Sequence, residues 1–131
     1  MERRVWTFLM FAGDAEAALD LYGSLFDDMR IVRLDRYGPG EGGNEGLVRR
    51  AEWTLGGQNF MAIDSTVDHG FTFTPAASIF VNCTDDEEIT QVFEGLSEGG
   101  QVLMALDSYP FSRRFAWVAD RYGVSWQLNL P

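Results

Sequence analysis

The sequence predicts an α+β chain made of two copies of one βαβββ module, at about residues 1–66 and 76–131, with a linker at about 66–75. Three observations carry that prediction. A strand, break and helix pattern near the start returns 71 positions later, each helix is followed by three strand-like runs, and a short glycine turn joins the last two runs of each copy. At 131 residues, 46% of them hydrophobic and 14% aromatic, the chain has the size and the core material of a single domain spanning 1–131.

The elements follow in order. VWTFLMFAGDAEAALDLYGSLF (5–26) reads as a strand, a break at Gly13-Asp14, and a helix with Ala18, Leu21, Tyr22, Leu25 and Phe26 at helical spacing. Arg30 to Tyr37, Leu47 to Leu55 and Gln58 to Asp64 then alternate as strands, the last two joined at Gly56-Gly57. AASIFVNCTDDEEITQVFEGL (76–96) repeats the opening, placing Asp14 on Asp85, Glu16 on Glu87, Ala18 on Ile89, Leu21 on Val92, Tyr22 on Phe93 and Leu25 on Leu96. Thr84 and Glu87 have the spacing of a capping box, in which hydroxyl and carboxylate each take a free amide at the helix start. Gln101 to Leu106, Arg113 to Ala119 and Val124 to Leu130 complete the second copy, with its turn at Asp120 to Gly123. One helix covers only one face of such a sheet, so the copies are expected to pair and build a shared cleft.

Charge narrows the partners. Twenty acidic residues against ten basic ones, all Arg, leave a net charge of −10, a field that repels phosphate backbones and anionic lipid. Nucleic acid and membrane are excluded as expected partners. No stretch approaches the roughly 20 apolar residues of a membrane span. Arg3 and Arg4 before an apolar run resemble a signal peptide, but Asp14, Glu16 and Asp20 fall where a cleavage region is neutral and small. Cys83 stands alone, which fits a reducing compartment, so a cytoplasmic protein is expected.

Three segments, FLMFAGDAEAALDLYGSLF, GPGEGGNEGLV followed by LGGQNFMAID, and YPFSRRFAWVADRYGVSWQLNL, resemble the vicinal oxygen chelate superfamily of glyoxalases, bleomycin-resistance proteins and extradiol dioxygenases. Within it the resemblance is to the PhnB-like branch, historically named a 3-demethylubiquinone-9 3-methyltransferase family, and it spans nearly the whole chain. It implies the glyoxalase/bleomycin-resistance fold, a curled mixed sheet of paired βαβββ modules around a cleft, and commonly a homodimer. Whether the modules pair within one chain or between two stays open.

Metal enzymes of the superfamily carry one ligand on the first and last strand of each module, and the family pattern puts these positions at Thr7, Met61, Ser78 and Gln127. Thr7 and Ser78 coincide under the 71-residue shift, and Met61 and Gln127 coincide when Gly57 is laid on Gly123. Two hydroxyls, a thioether and an amide supply neither the charge nor the softness that Zn, Ni, Mn or Fe sites use, so no metal and no cofactor is expected. Strand alternation then turns Leu9, Asn59, Ile63, Phe80, Asn82, Ser125 and Asn129 inward with them, and Phe8, Met10, Phe60, Ile79, Val81, Trp126 and Leu128 toward the helices. Pairing across the glycine turns adds Arg50, Glu52 and Thr54 to the first inner face and Arg114, Ala116 and Val118 to the second. Either Arg offers a clamp for a carboxylate or phosphonate; the plainer alternative pairs Arg50 with Glu52 and leaves Arg114 at the solvent rim. The expected ligand-binding set is Thr7, Asn59, Met61, Ser78, Phe80, Asn82, Arg114, Gln127 and Asn129, with no catalytic residue.

Other features carry no role. His69 sits in the linker beside Asp68, and Cys83 precedes Asp85, Asp86, Glu87 and Glu88, which oppose a thiolate. The glycine-rich stretch 38–46 is followed by a strand, so no helix start is available to receive a phosphate, and it reads as a mobile hairpin loop. Nor does any strand lead through a glycine-rich turn into a helix suited to S-adenosylmethionine. The expected function is metal-independent binding of a small molecule; the alternative is an isomerase, lyase or dioxygenase-like enzyme on a small oxygen-rich substrate, with Glu52 as the acid–base group.

Overall fold

A computed structural model describes residues 3–42 and 44–131. In chain order the elements are β1 (Thr7–Phe11), α1 (Ala15–Leu25), β2 (Arg30–Arg36), β3 (Val48–Leu55), β4 (Gln58–Asp64), β5 (Ser78–Asn82), α2 (Asp86–Ser97), β6 (Gln101–Tyr109), β7 (Ser112–Ala119) and β8 (Ser125–Leu130). The chain forms two compact units, Met1–Gly70 and Phe71–Pro131, dividing inside the segment that the repeat marks as linker. Each holds one βαβββ module with one open four-stranded mixed sheet, ordered β1-β4-β3-β2 in the first and β5-β8-β7-β6 in the second. The two-module α+β architecture is therefore the one the repeat predicts, with β6 running to Tyr109, three residues past the predicted end.

In the first module, α1 covers one sheet face. Ala15, Ala18, Leu19 and Tyr22 are its buried residues, with Leu21 and Leu25 only half-buried. The Tyr22 ring meets Trp53 with centroids 5.8 Å apart, and Trp53 stacks on Phe60 at 4.3 Å, so Trp53, Phe60, Ala51 and Ala62 form the core beneath the helix. Asp14 makes no side-chain cap. The start of α1 is instead held by Asp64, 1% exposed at the end of β4, whose Oδ1 accepts from Gly13 N–H and Ala15 N–H at 2.9 Å while Oδ2 accepts from Val48 N–H at 2.9 Å. The β3–β4 hairpin closes at Gly56-Gly57, with φ of 59° and 80°, the left-handed pair that a two-residue turn requires.

In the second module, Ile89, Val92 and Leu96 seat α2 on its sheet against a core containing Trp126, Leu128, Ala116 and Val118. The cap lies one residue beyond its predicted position. Asp85 Oδ1 accepts from Glu88 N–H at 2.8 Å, and Glu88 Oε1 accepts from Thr84 N–H at 2.9 Å, so Asp85 and Glu88 replace Thr84 and Glu87. The β7–β8 connection is a three-residue loop: Asp120 N–H donates to the Val124 carbonyl at 2.8 Å, and the Asp120 carboxylate gathers Tyr122 N–H, Val124 N–H and Trp126 Nε1–H.

Candidate ligand-binding face

Each sheet has one face under its helix and one open face, and residues in register across neighbouring strands share a face. In the first module Glu52 pairs with Met61 and Thr54 with Asn59, opposite in sense to Trp53 and Phe60 under the helix. Asn59, Met61, Ile63, Arg50, Glu52 and Thr54 thus lie on the open face, as the alternation predicts. Thr7 does not. In the parallel β1–β4 pair Thr7 matches Phe60, Phe8 matches Met61, Leu9 matches Ala62 and Met10 matches Ile63. Phe8 and Met10 therefore belong to the open face, and Thr7 and Leu9 to the helix face. No turn sets a parallel register, and the 71-residue shift that aligns the helices is one short for the strands, where buried Phe11 answers buried Cys83.

In the second module the parallel β5–β8 pair matches Ser78 with Ser125, Phe80 with Gln127 and Asn82 with Asn129, so all the residues assigned there to β5 and β8 share one face. Arg114 leaves it. Across β7 and β8, Arg114 matches Leu130, Ala116 matches Leu128 and Val118 matches Trp126, all beneath α2, while Phe115 matches Asn129 and Trp117 matches Gln127 on the open face. The Arg114 guanidinium confirms the side: its Nη1 donates to Asp86 Oδ1 at 3.1 Å and to Thr90 Oγ1 at 3.2 Å, both on α2. The cause is loop length. A two-residue turn in the first module and a three-residue loop in the second differ by one residue, which exchanges the faces of the strand on one side of the hairpin.

The corrected open face of the second module is a set of polar side chains framed by aromatic rings. Ser78 Oγ lies 2.7 Å from Ser125 Oγ, Trp117 Nε1–H donates to Ser125 Oγ at 2.8 Å, and Gln127 Nε2–H donates to Ser78 Oγ at 3.3 Å. Farther along, Asn129 Nδ2–H donates to Asn82 Oδ1 at 2.9 Å, and Ser112 Oγ–H donates to Asn129 Oδ1. Phe115 meets Phe111 edge-on at 5.0 Å, Tyr109 at 6.1 Å and Phe80 at 6.4 Å, which buries Phe115 while leaving Phe80 55% and Phe111 66% exposed. Phe115, Trp117, Tyr109 and Phe111 escaped the sequence reading. Counting the residues between Asp120 and Val124 would have put the first two on this face.

The open face of the first module carries an ionic cluster beside its apolar residues. Arg33 reaches Asp35 at 2.6 Å and Glu52 at 3.4 Å, and Arg50 reaches the same Glu52 oxygen at 3.2 Å. Arg50 thus makes the plainer pairing with Glu52, and that carboxylate is engaged by two guanidinium groups. Neither face fits a transition metal. The positions that the sequence resemblance assigns to metal ligands present Phe8 or Thr7, Met61, Ser78 and Gln127, which include no anionic or imidazole donor, and among the described residues no three His, Cys, Asp or Glu side chains gather. Nor does the turn into α1 fit S-adenosylmethionine, since Asp64 already occupies the Gly13 and Ala15 amides that would face a bound cofactor. Among the described residues no helix is long and apolar enough to cross a membrane.

Comparison with known proteins places this geometry. A PhnB protein from Bacillus cereus, itself bearing the 3-demethylubiquinone-9 3-methyltransferase name, is 53% identical over 98% of this chain and 100% of its own, with a TM-score of 0.94. Protein PA1353 from Pseudomonas aeruginosa shares the fold at 23% identity and a TM-score of 0.82, covering 98% of both chains. So does the fosfomycin resistance protein FosX from Mesorhizobium loti, at 12% identity and 0.64, covering 100% of this chain and 93% of that one. Curated proteins include no match. With the 3-demethylubiquinone-9 3-methyltransferase family matching residues 3–129 and the PhnB protein of Bacillus cereus 53% identical over nearly all of both chains, the chain belongs to that PhnB-containing family.

Proposed function

We propose that this protein binds a small molecule without a metal, through the open face of its second module, and that it acts as a homodimer in the cytoplasm. One observation carries the reading: Gln127, in register between Phe80 and Trp117, and its hydrogen-bond partner Ser78 are neutral hydrogen-bonding groups at positions that the sequence resemblance assigns to metal ligands. Apolar walls with a few placed polar groups are the composition of small-molecule sites. The fosfomycin resistance proteins supply the precedent of the same fold serving a small molecule, and one of them, from Listeria monocytogenes, was solved with Mn(II) and sulfate. Ser78 and Gln127 are neutral and supply neither an anionic nor an imidazole donor, which favours binding through hydrogen bonds and ring contacts. Phe80, Asn82 and Asn129 remain proposed contacts; Asn59 and Met61 lie on the open face of the first module and are not part of this face, and Thr7 and Arg114 are set aside because their faces are turned to the helices.

Gln127→Ala tests the proposal. Its amide makes one long hydrogen bond at 3.3 Å, so the variant should melt within a few degrees of the parent, and a ligand found by screening should lose roughly 1–3 kcal/mol of affinity. Unfolding of the variant, or unchanged affinity for a ligand that contacts this face, makes Gln127 a structural residue and overturns the site.

A further inference from the structure

The hydrogen bonds around Ser78 determine which way their protons point, and that direction specifies the ligand. Indole nitrogen can only donate, so Ser125 Oγ accepts from Trp117. Ser125 is 1% exposed, and among the described residues Ser78 Oγ is the one acceptor within reach of its hydroxyl proton, so Ser125 donates to Ser78. Ser78 Oγ also accepts from Gln127 Nε2, which fills both of its lone pairs. Two groups are left over on the half-buried open face: the Ser78 hydroxyl proton, which needs an acceptor, and Gln127 Oε1, which needs a donor. A group left unpaired when a ligand covers this face costs more than the same bond contributes when made.

Resting on the proposed binding role, we infer that the ligand is a neutral, planar molecule presenting a carbonyl oxygen beside an N–H, as an amide or lactam does. The carbonyl accepts from Ser78 and the N–H donates to Gln127 Oε1. Phe80 and Trp117 flank Gln127 on the two neighbouring strands, so an aromatic ring fused to the lactam has an aromatic side chain on either side. An anionic ligand is disfavoured: Gln127 Oε1 repels it, none of Ser78, Phe80, Gln127 and Trp117 bears a cation, and the chain carries −10 overall.

The experiment titrates the full chain with 2-quinolone, N-methyl-2-quinolone and quinoline-2-carboxylate, following the Gln127 side-chain amide and the Trp117 indole N–H by nuclear magnetic resonance. The lactam should shift both signals saturably. Methylating its nitrogen should weaken binding by about tenfold or more, Ser78→Ala should weaken the lactam by a similar factor, and the carboxylate should bind worst. Equal affinity for the lactam and its N-methyl form, or preference for the carboxylate, overturns the inference while leaving small-molecule binding at this face intact. Failure of every probe to move either signal in folded protein overturns the lactam assignment, and the Gln127→Ala comparison then judges the binding role separately.

Discussion

Cys83 lies just past the end of β5, 4% exposed. Burial pushes its thiol up to about 12, and the carboxylates of Glu88 and Asp85 at the start of α2 add to the effect by opposing a second negative charge. Only the thiolate is a nucleophile, so at pH 8 the folded protein should not react with a thiol-specific disulfide reagent, whereas one equivalent should react in denaturant. Fast labelling of the native chain would mean that the β5–α2 junction opens, and that the burial described here is not maintained. Arg114 shows the same dependence on surroundings. With Asp86 and Thr90 as partners it ties α2 to β7 on the face away from the proposed ligand contacts.

At the scale of elements, each module secures its helix differently. The second uses a local device, Asp85 with Glu88, within one turn of α2. The first relies on Asp64, 51 and 49 residues from the amides it accepts at the start of α1 and 16 from the one at the start of β3. Three N–H groups depend on one buried carboxylate. Asp64→Ala leaves them without an acceptor and should cost on the order of 3 kcal/mol in urea denaturation, while the corresponding loss at Asp85 should be nearer 1 kcal/mol, the usual worth of an N-cap. Equal losses at the two sites would refute the distinction between a tertiary and a local anchor.

For the whole molecule, the open faces leave large apolar side chains in water: Phe8 is 56% exposed and Phe80 55%. Surfaces of this kind mark interaction sites, and a homodimer is the simplest assembly that covers them. Light scattering should report about twice the 14.7 kDa chain mass, and a monomer persisting at high micromolar concentration would count against a dimer. Metal content is the second test at this scale. Purified protein should hold well under one equivalent of Zn, Ni, Mn or Fe and melt at the same temperature with or without chelator; stoichiometric metal would overturn the metal-independent reading.

Element order, both glycine hairpins, and the faces of β3, β4, β5 and β8 were legible in the sequence by itself, because each depends on local periodicity or on a turn whose residues are adjacent in the chain. The shared face of the proposed contacts Ser78, Phe80, Asn82, Gln127 and Asn129 came with them, since one parallel pair carries all five. Tertiary structure decided the rest. The face of β1, and so the exchange of Phe8 for Thr7, depends on a parallel register that the sheet and α1 set together. The face of β7, and so the exchange of Phe115 and Trp117 for Arg114, is by contrast a local matter that the chain itself holds: it turns on the one extra residue between Asp120 and Val124. Asp64 reads in sequence as an ordinary strand-ending aspartate; its function as an anchor exists only once folding brings Gly13, Ala15 and Val48 to the same carboxylate.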